Sequence, residues 1–309
     1  MSRPFFVIGC PRSGTTLVRL MLDSHPRLAV PPESHFIVQG PGPREPVGAA
    51  LERILAHRRF RDWGLAPEHV EAEIARQQPA SYADVVRCLY DAFARDRGKA
   101  RWGDKTPHYV LHVPRLLELF PDAQIVHVIR DGREVAAAVY AHGWLDSPVT
   151  AAAWWRRTVR EGRRWRSLGP ERYHEVRLER LIEAPEQTLR ALCRFLDEPF
   201  ASQMLDYHHD GLERLPPWVR AHHPHTQRPP VARLREWTSG LSAGERRAVE
   251  AVCRRQLLEL GLTVPRRSPS GYAIAVRHLA RARWRELRHP VQRDGMTAEP
   301  PPRLSRTAS

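Results

Sequence analysis

The segment GCPRSGTTLVRLMLDSHP, which begins at Gly9, has the residue types of a phosphate-binding turn. Gly9 and Gly14 have the spacing of the P-loop glycines, and backbone N–H groups of such a turn and of the helix after it bind phosphate oxygens. Thr15 stands where nucleoside triphosphatases have a lysine, which argues against ATP or GTP hydrolysis. We predict an anion site formed by Pro11, Arg12, Ser13, Gly14, Thr15 and Thr16. The alternative is a tight turn that binds no ligand.

A second phosphate contact is predicted at Arg130. The apolar stretch QIVHVI predicts a strand, and the sequence RDGR follows it at the start of a helix. An arginine in that place can hold a phosphate group through two parallel hydrogen bonds. The alternative is a surface ion pair of Arg130 with Asp131 or Glu134.

Three further side chains have the chemistry of acid–base and electrostatic catalysis. Glu33 and His35 follow an apolar run at the sheet edge where open α/β folds bind ligands, so either is a candidate general base. Lys105 and Lys99 are the only lysines among 49 basic residues, which indicates that a compact ammonium is needed at GDKTP. The alternatives are capping or solvated roles for Glu33 and His35 and an incidental lysine.

Alternating strand and helix patterns must position these residues. They predict an α/β fold with a P-loop-type, doubly wound, mostly parallel sheet flanked by helices. A helix is expected to open at GDKTP and to run to about Leu119. The domain is expected to span 1–264, with a helical insertion or lid at 47–99, followed by a basic helix and disordered tail at 265–309.

Composition restricts the class of protein. The 309 residues carry a net charge of +14, almost all from arginine, which suits an anionic ligand. A basic stripe with interleaved aromatic residues is lacking, so nucleic-acid binding is not expected. The four separated cysteines and the irregularly spaced histidines indicate neither a disulfide framework nor a metal site. Because the sequence shows no signal peptide and no membrane-spanning run, we predict a soluble, cytoplasmic protein.

Several motifs together resemble those of the sulfotransferases that use 3′-phosphoadenosine 5′-phosphosulfate (PAPS), especially the branch with tyrosylprotein sulfotransferases and many bacterial enzymes. These are PRSGTTLVRLMLDSHP, PPESHF, GDKTP and VIRDGR, and the likeness runs from about Phe5 to Leu262. The resemblance implies a metal-independent enzyme that transfers the sulfuryl group of PAPS to a hydroxyl or amine by in-line displacement. The acceptor would be a small molecule or a peptide, and the product nucleotide would be 3′-phosphoadenosine 5′-phosphate.

The resemblance also implies roles for single residues. Glu33 aligns with the base of the tyrosylprotein branch, and His35 is the substitute base. Arg12 and Lys105 would stabilise charge on the departing nucleotide. Arg130 would hold its 3′-phosphate.

The nucleoside pocket is where the sequence departs from the family pattern. Arg235 and Trp237 are the expected nucleotide contacts. Ala138 replaces a serine that usually helps to hold the 3′-phosphate, and Leu178 replaces a tyrosine near the adenine. PAPS affinity is therefore expected to be lower than usual.

The C-terminal segment 271–289 carries a separate prediction. As a helix, it places its apolar residues on one face and its arginines on the other; the apolar residues are Tyr272, Val276, Leu279, Trp284 and Leu287. Such a helix either contacts an anionic membrane or packs on its own domain.

Two other classes of function stay open on the sequence. The first is a P-loop small-molecule kinase, which Thr15 in place of lysine disfavours. The second is a non-catalytic nucleotide-binding protein, which the joint retention of Arg12, Glu33 and Lys105 disfavours. The acceptor pocket is expected to be built from 47–99 and 208–233.

Overall fold

The computed structural model describes residues 3–40, 46–220, 224–229 and 237–288. Strands in this part of the chain form one sheet in the order β2-β3-β1-β4-β5. Their bounds are β1 Phe5–Gly9, β2 Leu28–Ala29, β3 Arg101–Lys105, β4 Gln124–Ile129 and β5 Tyr173–Arg177. β1 pairs in parallel with β3 and β4, and β2 pairs in parallel with β3. The predicted doubly wound, mostly parallel sheet is confirmed.

The helices of the described residues follow in chain order. They are α1 Thr15–Asp23, α2 Val47–Ala56, α3 Arg58–Arg61, α4 Pro67–Gln77, α5 Tyr82–Asp96, α6 Val113–Leu119, α7 Gly132–Ala141, α8 Pro148–Arg164, α9 Leu178–Glu183, α10 Pro185–Phe195, α11 Pro217–Arg220, α12 Trp237–Gly240, α13 Ala243–Glu259 and α14 Pro269–Arg288. In the described parts of the chain, no helix is both long enough and apolar enough to cross a membrane.

The chain divides into two compact units. The first consists of Met1–Gly9, Gly14–Val128 and Arg164–Ala232, and it holds the sheet apart from the last residue of β4. The second consists of Cys10–Ser13, Ile129–Arg163 and Arg233–Ser309, and it contains α7, nearly all of α8, and α12 to α14. The chain therefore passes through the second unit briefly between Gly9 and Gly14.

The core of the first unit joins the sheet to the helices of the predicted insertion. Phe6 and Trp102 from the sheet and Trp63 and Tyr90 from the 47–99 segment are buried in one apolar cluster. The rings of Tyr90 and Trp102 stack with their centroids 4.4 Å apart. Because these helices bury their apolar faces against the sheet, they belong to the core of the unit.

One boundary near the predicted site is wrong in the sequence analysis. Asp104 and Lys105 do not open a helix, because β3 continues through Lys105, which pairs in register with Val7 of β1. A 3₁₀ turn, Pro107–Leu111, follows, and α6 begins only at Val113. Lys105 therefore lies at the carboxyl end of a central strand, where α/β folds bind ligands.

The second unit contains the predicted C-terminal helix, and packing covers only part of its predicted apolar face. Ala275 of α14 is buried, while Tyr272 is 40% exposed and Val276 is 65% exposed. A Cβ atom added at Gly271 would lie 2.6 Å from the carbonyl oxygen of Arg247 in α13, so the closest approach uses a small residue. Leu279 is partly buried in the cluster that contains Ala275. Membrane contact through 271–289 stays a prediction; the side chains of Trp284 and Leu287 lie outside the described ones.

Candidate active site

The loop after β1 needs glycine at both ends. A Cβ atom at Gly9 would lie 2.5 Å from the carbonyl oxygen of Val128 in the neighbouring strand. Gly14 has a φ of +91°, and a Cβ there would lie 2.6 Å from Cδ1 of Leu178. The close approach of backbone and neighbours thus explains the glycine spacing seen in the sequence.

The N-terminus of α1 is open to an anion. Gly14 caps the helix without a side-chain hydrogen bond, and the first turn contains no acidic residue. Thr15 and Thr16 at this end are buried. Free N–H groups and the helix dipole favour a phosphate or sulfate group at such an end.

Three predicted phosphate ligands lie in the second unit. Arg12 has a φ of 70°, in the left-handed region that non-glycine residues rarely adopt. Ser13 is fully buried, and its Oγ has no hydrogen-bond partner in the described structure. Arg130 donates from Nη1 to the carbonyl oxygen of Arg12 at 3.1 Å. The buried Ser13 hydroxyl without a partner, next in the chain to Arg12, fits a site for an anionic group.

Arg130 also makes one of the ion pairs that the sequence left open. Its Nη2 atom lies 3.2 Å from Oε2 of Glu134, while Asp131 pairs with Arg133 instead. The Nε atom of Arg130 is buried without a hydrogen-bond partner among the described residues. The Glu134 contact therefore leaves a donor of Arg130 for another acceptor.

Glu33 joins two other predicted residues in the first unit. Its Oε1 atom accepts a hydrogen bond from Nζ of Lys105, and its Oε2 atom lies 2.9 Å from Nε2 of His35. Lys105 also donates to Oγ1 of Thr16, 3.3 Å away at the start of α1. The structure thus connects the helix end at which phosphate binding is predicted, a buried cation and the two candidate bases.

The ionisation of this cluster follows from burial and charge. Burial by itself raises the pKa of Glu33, but the Lys105 ammonium and the hydrogen bond from His35 outweigh it and hold that pKa well below 4.5. Burial lowers the pKa of Lys105, although the attraction of Glu33 opposes this shift. Because the Glu33 side chain keeps 27% of its exposure and Lys105 only 4%, we assign the pair as carboxylate and ammonium.

A hydrogen-bond network fixes the segment that carries Glu33 and His35. Ser34 between them is fully buried; its N–H donates to Oγ1 of Thr106 at 3.2 Å, and its Oγ lies 2.8 Å from the hydroxyl of Tyr109. His35 has a φ of 55°. This strained backbone persists because the segment after β3 clamps Ser34, and such strain is common at functional sites.

His108 is a neighbour that the sequence analysis missed. Its ring centroid lies 5.9 Å from that of His35. Burial, with a smaller effect from the charge of His35, lowers the pKa of His108 to about 4. The sequence signal was its place directly after GDKTP, in the turn that holds Ser34.

The remaining predicted contacts are not brought into this cluster. Trp237 lies under the guanidinium of Arg133, 4.9 Å from the ring centroid, and Arg235 lies outside the described residues. Leu178 is buried against Gly14, so a residue at this position does border the loop. Within the described ranges, no group of three or more His, Cys, Asp or Glu residues could hold a metal ion.

Comparisons with known proteins agree with this architecture. The family model described as "Sulfotransferase family" matches residues 4–202. An uncharacterized protein of Aquifex aeolicus is 28% identical over 67% of this chain, which spans only 27% of that protein. A putative protein-tyrosine sulfotransferase of Caenorhabditis briggsae is 26% identical over 66% of this chain and 68% of its own length.

The fold has a counterpart among solved structures. The sulfotransferase domain of the olefin synthase of Synechococcus PCC 7002 superposes with a TM-score of 0.65 at 23% identity, and the match covers 85% of this chain and 96% of that domain. This likeness concerns the fold alone. Together with the family match over most of the chain, it leads to one conclusion: the chain belongs to the sulfotransferase family.

Proposed function

We propose that the protein transfers a sulfuryl group from PAPS to a hydroxyl or amine acceptor by in-line displacement. The observation that carries this proposal is the position of Lys105, which contacts both Thr16 at the start of α1 and the carboxylate of Glu33. A cation and a base thereby meet at a helix end that favours anions. Membership of the family supports sulfuryl transfer, and the residues below support the choice of PAPS.

The donor would be held by residues that match the family motifs. PAPS, when bound, supplies an activated sulfuryl group. The open N-terminus of α1, with Thr15 and Thr16, would hold the 5′-phosphosulfate together with Arg12 and Ser13. Arg130 would hold the 3′-phosphate through donors that Glu134 does not use. A site without a triphosphate has no need of the P-loop lysine or of Mg²⁺.

Glu33 would take the proton of the acceptor. Its carboxylate is already desolvated in part and is held in place by two hydrogen bonds. Protonation cancels the charge of Glu33 and leaves the Lys105 ammonium uncompensated. That ammonium then stabilises negative charge on the departing nucleotide, so loss of the acceptor proton and stabilisation of the leaving group are coupled. His35 orients the carboxylate and is the alternative base.

The acceptor to test first is a phenolic hydroxyl. The relative from Caenorhabditis briggsae is named a putative protein-tyrosine sulfotransferase, which supports a tyrosine-like group. A phenol is also more acidic than an aliphatic alcohol, and this lowers the demand on a weak base such as Glu33.

Calorimetric titration tests the donor site. The protein is titrated with 3′-phosphoadenosine 5′-phosphate and, separately, with ATP and Mg²⁺. We expect metal-independent binding of the bisphosphate, a loss of at least about tenfold in affinity in Arg12→Ala, and no change in Arg180→Ala, whose side chain is 77% exposed. Binding of ATP alone would favour a kinase, and binding of neither nucleotide would favour a non-catalytic protein.

A further inference from the structure

A cavity of about 670 Å³ lies in the first unit. This volume is within the range of small-molecule sites. Trp63 and Phe93 from the 47–99 segment line it, together with Leu215 and Pro216 from the 208–233 segment. These are the two segments from which the sequence analysis expected an acceptor pocket.

The cavity wall is continuous with the segment that carries Glu33. Pro32, which directly precedes Glu33, lines the cavity, and its carbonyl oxygen accepts a hydrogen bond of 3.0 Å from Nε1 of Trp63. Arg19 in the same wall is buried and donates to the carbonyl of Val30 at 2.9 Å. A ligand that contacts Pro32 here would touch the residue directly before the proposed base.

Basic and acidic side chains line the cavity in equal numbers, but the basic ones are already engaged. Lys99 forms an ion pair with the buried Asp23 at 3.4 Å. Arg214 donates to Oγ of Ser24 at 2.8 Å and to Asp210 at 2.7 Å. Lys99 and Arg214 therefore donate hydrogen bonds to other groups of the protein.

Two further arginines of the cavity lining, Arg97 and Arg220, also form hydrogen bonds within the protein. Arg97 donates to Asp96 at 2.7 Å and lies over the ring of Phe93 at 3.6 Å. Arg220 donates to the carbonyl oxygens of Leu215 and Glu213 at 3.0 and 3.3 Å. Because these basic side chains are engaged, the charged groups that the cavity offers to a ligand must be sought among its acidic side chains; Gln203 and His209 also line the cavity.

Two of those acidic side chains are exposed at the cavity and make no ion pair in the described part of the chain. These are Asp206 and Glu213, in a protein whose net charge is +14. Carboxylates without a cationic partner, in a cavity that Pro32 and Pro217 also line, suit a ligand with an apolar body and a cationic donor.

We propose that this cavity binds the acceptor and selects one that carries an ammonium group on an apolar or aromatic body. This inference rests on the proposed function, because it names the substrate class of the same site. Asp206 and Glu213 would receive the ammonium group, while Pro32 and Pro217 would contact the apolar body.

The test uses three phenols that differ only in charge. Calorimetry on the full chain compares tyramine, 4-ethylphenol and 3-(4-hydroxyphenyl)propionate as probes. We expect tyramine to bind about fivefold more tightly than 4-ethylphenol, the propionate to bind most weakly, and the tyramine preference to shrink as salt is raised. Equal binding of tyramine and 4-ethylphenol would overturn the proposal.

A double variant assigns the preference to the cavity. D206N together with E213Q should remove the fivefold preference for tyramine and leave the affinity for 4-ethylphenol unchanged. Glu71→Gln, which replaces an exposed carboxylate outside the cavity lining, should keep the preference. A preference that persists in the double variant would overturn the proposal.

The same samples separate this inference from the proposed function. Titration with 3′-phosphoadenosine 5′-phosphate reports on the donor site alone. If the bisphosphate binds and tyramine has no advantage, the cavity proposal fails and the sulfotransferase proposal stands. If tyramine binds through Asp206 and Glu213 while the bisphosphate does not bind, the cavity proposal keeps its ligand class and the donor assignment fails.

Discussion

Glu33 and His35 are joined by a hydrogen bond of 2.9 Å between Oε2 and Nε2, although only Ser34 separates them in the chain. The left-handed backbone of His35, with a φ of 55°, allows two side chains so close in sequence to meet. Such a conformation costs on the order of 1 kcal/mol and persists where neighbours enforce it, as Thr106 and Tyr109 do through Ser34. The geometry makes Glu33 and His35 a hydrogen-bonded pair, and in the proposed reaction one of them would accept the proton.

The pH dependence of kcat/KM distinguishes the two bases. The pKa of Glu33 is held well below 4.5, so a Glu33 base stays ionised and the rate constant should be flat from about pH 5 to 8. An imidazole base would instead give a rate constant that falls in acid, because protonation removes the base. We expect the flat profile, and a loss of about 10²-fold to 10⁴-fold in Glu33→Gln.

His35→Asn provides the control for this assignment. The variant keeps a side chain that can bond to Glu33, so we expect a smaller loss of activity and an unchanged flat profile. An acid limb in the wild-type profile that disappears in His35→Asn would reassign the base to His35.

The two lysines of the chain form a matched pair for testing the ion pair of Lys105. Removing Lys105 leaves the Glu33 carboxylate without its main compensating charge, so Lys105→Met should destabilise the protein by about 2 kcal/mol at pH 7 in urea unfolding. The loss should be smaller in a Glu33→Gln background, since the charge that needed a partner is gone. An additive double-mutant cycle would contradict a coupled pair.

The pH dependence of this effect has a definite sign. Because the pKa of Glu33 is depressed in the folded state, the pair contributes stability above the unfolded pKa of about 4.3, and this stability is lost as pH falls through the lower folded pKa. The difference between wild type and Lys105→Met should therefore shrink in acid. Lys99→Met also removes a partner of a buried carboxylate, Asp23, but should leave binding of 3′-phosphoadenosine 5′-phosphate unchanged, whereas Lys105→Met should weaken it.

The sequence predicted those parts of the site that local chemistry dictates. The glycine spacing located the turn between β1 and α1, because only glycine tolerates the neighbours of Gly9 and Gly14. The end of β3 was misplaced because pairing with β1, a long-range interaction, extends the strand through Lys105. The closeness of His108 to His35 could not be predicted for the same reason, since only the fold brings these segments together.

Packing also explains why only part of the predicted apolar face of α14 is covered. Helical periodicity identifies the apolar residues but not which of them a neighbour covers. The close approach at Gly271 puts the small residues of α14 against α13, and Tyr272 is left exposed. At the contact between α13 and α14, the close backbone approach at Gly271 therefore decides which side chains are buried, and the larger Tyr272 is not among them.

The cost of replacing Gly14 has a backbone part and a packing part, which two alanine variants can separate. Gly14→Ala meets both the positive φ of 91° and a contact of 2.6 Å with Leu178, whereas Gly169→Ala meets a φ of 82° in open space. We expect Gly169→Ala to cost about 1 kcal/mol of unfolding free energy and Gly14→Ala at least about twice as much. Only Gly14→Ala should weaken nucleotide binding.

Shortening Leu178 tests the packing part. In a Leu178→Ala background, the additional cost of Gly14→Ala should fall towards that of Gly169→Ala, because the colliding methyl group is absent. Urea unfolding of the four proteins measures this difference. If the cost of Gly14→Ala is the same in both backgrounds, the contact with Leu178 is not what requires a glycine.

Finally, His108 should make the protein acid-sensitive. Its pKa is lowered to about 4 in the folded state, chiefly by burial, while an unfolded histidine has a pKa of about 6.5. Between these values the unfolded chain binds a proton that the folded chain does not, so stability should fall as pH drops from about 6.5 to 4, by up to about 3 kcal/mol. Urea unfolding at several pH values measures the decline.

His108→Gln removes the titrating group while keeping a polar side chain of similar size. The variant should be less stable than the wild type at pH 7.5 because it disturbs a buried site, but its stability should decline less between pH 6.5 and 4. The two curves should therefore converge in acid. Parallel curves would mean that protonation of His108 does not cause the loss of stability in acid. The pKa of His108 in the folded protein would then not be lowered as its buried surroundings indicate.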